Sequence, residues 1–121
     1  MTDQTEVQGP LDMSALDELR EYGAEILVEL IDIFLDDTPT RLNDLQRAVQ
    51  EVDAHGTEQA AHALKSACAQ LGAAHLSSMC RDLEAKGRAG DLDGAPLLVE
   101  RALAEFGRVH AALTAEKNAA S

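Results

Sequence analysis

The chain offers four imidazoles, His55, His62, His75 and His110, and two thiols, Cys68 and Cys80, as nucleophiles, bases or metal ligands. His62 stands out by its surroundings. On a helical wheel it points about 140° away from the apolar stripe Ala61, Leu64, Cys68 and Leu71, so it faces solvent. Glu58, Lys65, Ser66 and Ala69 share that arc, and the small Ser66 and Ala69 leave room for a flat protein surface to approach. Glu84 supplies a sharper relation. His62 lies eleven residues before Ala73 and Glu84 eleven residues after it, so a helical hairpin turning at Gly72-Ala73 sets them at one level. A carboxylate accepting the imidazole Nδ1–H fixes the tautomer and leaves Nε2 as an exposed nucleophile. Two other pairings compete: Glu84 with Arg81 or Arg88 along its own helix, and His62 with Glu58 one turn earlier.

Metal binding through His62, Cys68, His75 and Cys80 is the rival chemistry. His62 and Cys68 diverge by about 120° on one helix, and His75 and Cys80 by about 140°. None has the i,i+3 or i,i+4 spacing of helical ligands. Both cysteines fall on apolar stripes, where a free thiol behaves as a small hydrophobe. No metal ligand is assigned.

The elements that must hold these groups are helices. Only Tyr22, Phe34 and Phe106 are aromatic, and alanine and leucine dominate the 45% of apolar residues, a mix that favours helix over sheet. Asp12 caps a short helix at about 13–20, with Leu16 and Leu19 inward. Leu27, Leu30, Ile31, Phe34, Thr38, Leu42, Leu45, Val49 and Val52 keep phase across Pro39, predicting one kinked helix over about 24–52. Asp53 or Thr57 caps a third helix that ends near Leu71, and Leu76, Met79, Cys80 and Leu83 mark a fourth ending near Arg88. Pro96 opens the last, with Val99, Leu103, Phe106, Val109 and Leu113 inward, to about Lys117. Short connections make neighbours antiparallel. The expected fold is all-α: an antiparallel up-down four-helix bundle over 11–117 with a short additional N-terminal helix. Residues 1–10 and 118–121 read as disordered tails, and the polar ends as those of a stand-alone monomer.

The net charge is −12, and residues 1–60 carry all of it, with 15 acids against Arg20, Arg41 and Arg47. That field excludes nucleic acid as a partner, because phosphates need clustered lysine and arginine. No apolar stretch approaches the ~20 residues of a membrane span, and the polar N-terminus is not a secretory signal. Two cysteines make no disulfide framework, which points to a reducing cytoplasm.

The stretch 61–84, A-H-A-L-K-S-A-C-A-Q-L-G-A-A-H-L-S-S-M-C-R-D-L-E, resembles the signature of histidine-containing phosphotransfer (HPt) domains. The F-L-D-D-T-P-T-R-L run at 34–42, the R-A-G-D-L run at 88–92 and the amphipathic C-terminal helix are similar to that family as well. The resemblance implies a four-helix bundle in which His62 accepts a phosphoryl group, Lys65 neutralises its oxygens and Glu84 bonds the imidazole. Arg88 falls where several members carry a basic residue near the docking site, and Ser66 and Ala69 belong to that face. Ser66 replaces the usual glycine. The implied partners are response-regulator receiver domains and a hybrid sensor histidine kinase.

With no nucleotide loop and no paired carboxylates spaced for magnesium, the chain is expected to lack autokinase activity and to need no cofactor. Mg²⁺ and the acceptor aspartate would belong to the receiver. A helical interaction module without phosphotransfer is the alternative. Lys65, read as lying on the solvent side, is expected to contribute under ~0.5 kcal/mol to folding.

Overall fold

The computed structural model describes residues 9–120. Five helices follow one another: α1 (Met13–Arg20), α2 (Ala24–Gln50), α3 (Ala54–Gln70), α4 (Ala74–Ala89) and α5 (Ala95–Ala120). Helices α2 to α5 form the up-down bundle, and α1 packs on α2 at one end of it. The expected tail at 1–10 falls largely outside the described residues, as does Ser121. The C-terminal tail is corrected: α5 continues to Ala120, so 118–120 are helical.

The core is aliphatic, with Leu16, Leu27, Ile31, Leu45, Ala61, Leu64, Cys68, Leu76, Cys80, Leu83, Val109 and Leu113 wholly buried. Phe34 of α2 meets Phe106 of α5 at a ring separation of 6.2 Å. Helix α2 runs unbroken through the exposed Pro39. Caps follow the side chains: Asp12 accepts from the Ser14 amide, and Asp53 from the Gly56 amide. Asp53 is therefore the α3 cap. Thr57 is buried and donates its hydroxyl to the Asp53 carbonyl at 2.8 Å.

One stripe assignment needs correcting. Val52 is not inward. It lies beyond the end of α2, 75% exposed, with φ at +54°. The Asp53 amide bonds the Ala48 carbonyl and the Val52 amide bonds the Val49 carbonyl, a helix-ending motif that needs a left-handed residue where valine stands. Leu103 and Phe106 are half-buried and pack against the core, as Leu19 and Met79 do, while Ala102 and the carboxylate Glu105 are buried beside them on α5.

The α3–α4 pair packs most closely and carries the site. Its turn uses Gly72 at φ +77°, where a Cβ would stand 2.6 Å from the Asp12 carbonyl oxygen. The Asp12 amide also donates to the Gly72 carbonyl, which anchors the start of α1 there. At the other end of the pair, Gly87 lets α4 close onto α3. A Cβ on Gly87 would lie 2.6 Å from both the Ala54 carbonyl and the Glu58 amide nitrogen. Glycine inside a helix costs about 1 kcal/mol in propensity, which the close approach of the two backbones offsets.

Candidate functional site

All four histidines are exposed, so exposure alone does not single one out. Hydrogen bonding does. His62, its side chain 63% exposed on α3, places Nδ1 2.6 Å from Oε2 of Glu84 on α4. Among the described residues, no other histidine is paired with a carboxylate. The hairpin register counted about Ala73 is thus the real one. Donation from Nδ1 leaves Nε2 of the neutral ring unprotonated and on the open side.

Glu84 is buried, 4% exposed, and three cationic or potentially cationic groups converge on it. Oε1 accepts from Lys65 Nζ at 2.7 Å; Oε2 accepts from His62 and, at 3.3 Å, from Arg88 Nη2. The hydrogen bond from Lys65, followed by that from His62, holds the Glu84 carboxyl below its ordinary range and outweighs burial, which acts the other way. The sequence offers Glu84 three partners, His62, Arg81 and Arg88, and the structure joins it to the first and the last.

Glu58 pairs with Arg88 instead of His62: Arg88 Nε donates to Glu58 Oε2 at 3.1 Å. Lys65 is half-buried against Glu84, not free on the solvent side, because its long stem reaches across the α3–α4 seam. Ser66 and Ala69 are exposed on the face of α3 that carries His62. Ser77 went unnoticed in the sequence. Nearly buried on α4, it donates its hydroxyl to the Lys65 carbonyl at 3.0 Å and ties the two helices one turn from the imidazole. Only its position on the inward stripe of α4 signals it.

Beside the imidazole lies an open groove of about 520 Å³, lined by His55, Glu58, Gln59, His62, Glu84 and Arg88. Among the described residues no group of three or more His, Cys, Asp or Glu is arranged to hold a metal ion. Cys68 and Cys80 are free thiols in the core, and a hydrogen bond to Cys80, together with burial, pushes the Cys68 thiol far above its ordinary value. Such thiols are poor nucleophiles and poor ligands. No helix among the described residues is long and apolar enough to cross a membrane.

An exposed imidazole fixed by a buried carboxylate, with a lysine one turn on, is the arrangement the 61–84 signature led us to expect. The model of the Hpt domain matches residues 29–119. The chain is similar to histidine-containing phosphotransfer protein B (HptB) from Pseudomonas aeruginosa PAO1, whose crystal structure superposes with a TM-score of 0.87. The two share 32% sequence identity over 93% of this chain and 97% of that one. A comparison with curated proteins finds no match. On the family match and this structural relative together, the chain belongs to the Hpt domain family.

Proposed function

We propose that this protein carries a phosphoryl group on His62 between aspartates of receiver domains in a phosphorelay. The observation that carries the reading is the 2.6 Å contact of His62 Nδ1 with the buried Glu84, which leaves Nε2 exposed. In the forward step the Nε2 lone pair attacks the phosphorus of an aspartyl phosphate. The P–N bond forms as the P–O bond to the aspartate breaks, and the carboxylate leaves with the electron pair. The ring keeps its Nδ1 proton and takes a positive charge, which the Glu84 carboxylate faces. Return transfer reverses these events. Positioning and charge neutralisation do most of the work in phosphoryl transfer. Lys65 swings from Glu84 to the phosphoryl oxygens as they arrive.

Mg²⁺ and the acceptor aspartate reside on the receiver, and a hybrid sensor kinase supplies the phosphoryl group at the head of the relay. Two features support the docking of a receiver. Ser66 and Ala69 leave the histidine approachable, and Ile26 and Ile33 of α2 are 42% and 51% exposed. Because the chain carries −12 and a receiver site is acidic too, apolar contact and not long-range attraction supplies the affinity. The cytoplasm, where Cys68 and Cys80 stay reduced, is the setting.

Incubation with a receiver charged by acetyl phosphate tests the reading. Acid-labile label should pass to this chain and be absent from His62→Gln, with helicity retained. Label that persists on His62→Gln overturns the assignment.

A further inference from the structure

The groove beside His62 contains a second carboxylate whose one side-chain bond among the described residues is to a cation. Glu58 sits one turn before His62, and its Oε2 accepts from Arg88 Nε at 3.1 Å. The pairing is built in, because Gly87 without a side chain brings α4 against the Glu58 backbone, with Arg88 the next residue. The guanidinium is then shared, with Nη2 3.3 Å from Glu84, and Nη1 is engaged by neither carboxylate. Lys65 is likewise held on Glu84. Two cations thus flank His62, on opposite sides along α3, and both are matched by carboxylates. With a neutral imidazole, this cluster of Lys65, Arg88, Glu58 and Glu84 sums to zero charge, within a chain of −12.

A site that binds a phosphoryl dianion tightly presents unmatched cations to it. Here an arriving phosphoryl group has to compete with Glu58 for Arg88. We infer that Glu58 sets how strongly phospho-His62 is held: by retaining Arg88 it weakens the grip on the phosphoryl oxygens and keeps the group easy to give up. Glu58 touches no reacting atom and acts through Arg88, so it is a positioning residue. The inference rests on His62 being the phosphorylated residue.

Phosphoramidate provides the test without any partner protein. Nε2 attacks its phosphorus, the P–N bond of the reagent breaks, and ammonia leaves. The acid dissociation of the phosphohistidine side chain is then followed by ³¹P NMR against pH, because a cation held on the phosphoryl oxygens favours the deprotonated form. His55 also lines the groove, so all variants are compared in a His55→Gln background, and the ¹⁵N shifts of the His62 ring are followed alongside to place its own Nδ1 proton. Glu58→Gln should lower the phosphohistidine pKa by about half a unit, roughly a threefold change in the constant. Arg88→Ala should raise it. In Arg88→Ala, adding Glu58→Gln should shift it by less than ~0.2 units, since the residue it acts through is gone.

An equal shift in both backgrounds, or none in either, overturns the inference while phospho-His62 stands. If no label reaches His62 in the parent, the phosphocarrier reading itself fails. Circular dichroism of each variant guards against unfolding, and Glu58→Asp, which retains the charge, should stay nearer the parent than Glu58→Gln.

Discussion

Lys65 Nζ lies 2.7 Å from Oε1 of the carboxylate whose other oxygen holds His62. The lysine expected to meet the phosphoryl group is therefore engaged before that group arrives. Its side chain is 30% exposed and its acceptor is buried, so the pair differs from a surface ion pair. Lys65→Ala should cost about 1 kcal/mol in denaturant unfolding, since hydrogen bonds to charged groups contribute more than neutral ones. That replaces the smaller effect expected from the sequence. Phosphoryl gain should slow in the same variant. A wild-type unfolding midpoint would show that Glu84 does not need the lysine.

Glu84 gives the pH dependence. Lys65 and His62 hold its carboxyl below the ordinary value of 4.5, so the folded chain binds that proton less readily than the unfolded chain. The stability this contributes is complete above about 4.5 and is lost as pH falls through the lower, folded value. Urea unfolding across acidic pH should show this loss in the parent and a shallower one in Glu84→Gln. The glutamine should also keep much of the phosphorylation rate, because its amide oxygen still accepts from Nδ1. Glu84→Ala, which strips three donors of their acceptor, should cost about 1–3 kcal/mol at neutral pH.

Val52 is a local conflict between sequence and backbone. A β-branched residue at φ +54°, with its side chain mostly in water, has strain to lose and little packing to forfeit. Val52→Gly should raise stability by roughly 1 kcal/mol, seen as a higher melting temperature with an unchanged phosphorylation rate. A lower melting temperature would mean that the exposed valine packs where no contact was expected.

Gly87 is the opposite case. Alanine is the better helix former by about 1 kcal/mol, yet its Cβ would fall 2.6 Å from backbone atoms of α3. Gly87→Ala should therefore destabilise the bundle by about 1–3 kcal/mol, as overpacking does. Because the contact is with Glu58, the variant should also disturb the Arg88 pairing. Unchanged thermal unfolding would show that α4 can lift from α3 freely.

These residues also mark how much of the molecule could be read in advance. Helix positions were legible because leucine, isoleucine and phenylalanine recur at helical spacing. The level of His62 against Glu84 followed because a tight antiparallel hairpin converts sequence distance into height. Periodicity says which way a Cβ points, but not where a long side chain ends. Hence the partner of Lys65, and the diversion of Glu58 from His62 to Arg88, stayed hidden, whereas the Glu84–Arg88 pair was open to reading from its i,i+4 spacing. The burial of Glu105 and the close approach at Gly87 depend on how neighbouring helices fit, which no single helix records. Val52 continued the apolar stripe by spacing, but the helix ends before it, at Gln50.

The central claim is that Glu84 holds Nδ1 of His62 so that Nε2 is the nucleophile. Long-range ¹H–¹⁵N and ³¹P NMR of the chain labelled with phosphoramidate locates the phosphorus on a specific ring nitrogen. The account predicts a single phosphohistidine, at Nε2 of His62, with Nδ1 still protonated. Phosphorus on Nδ1 of His62, or on His55, His75 or His110 in its place, would contradict it.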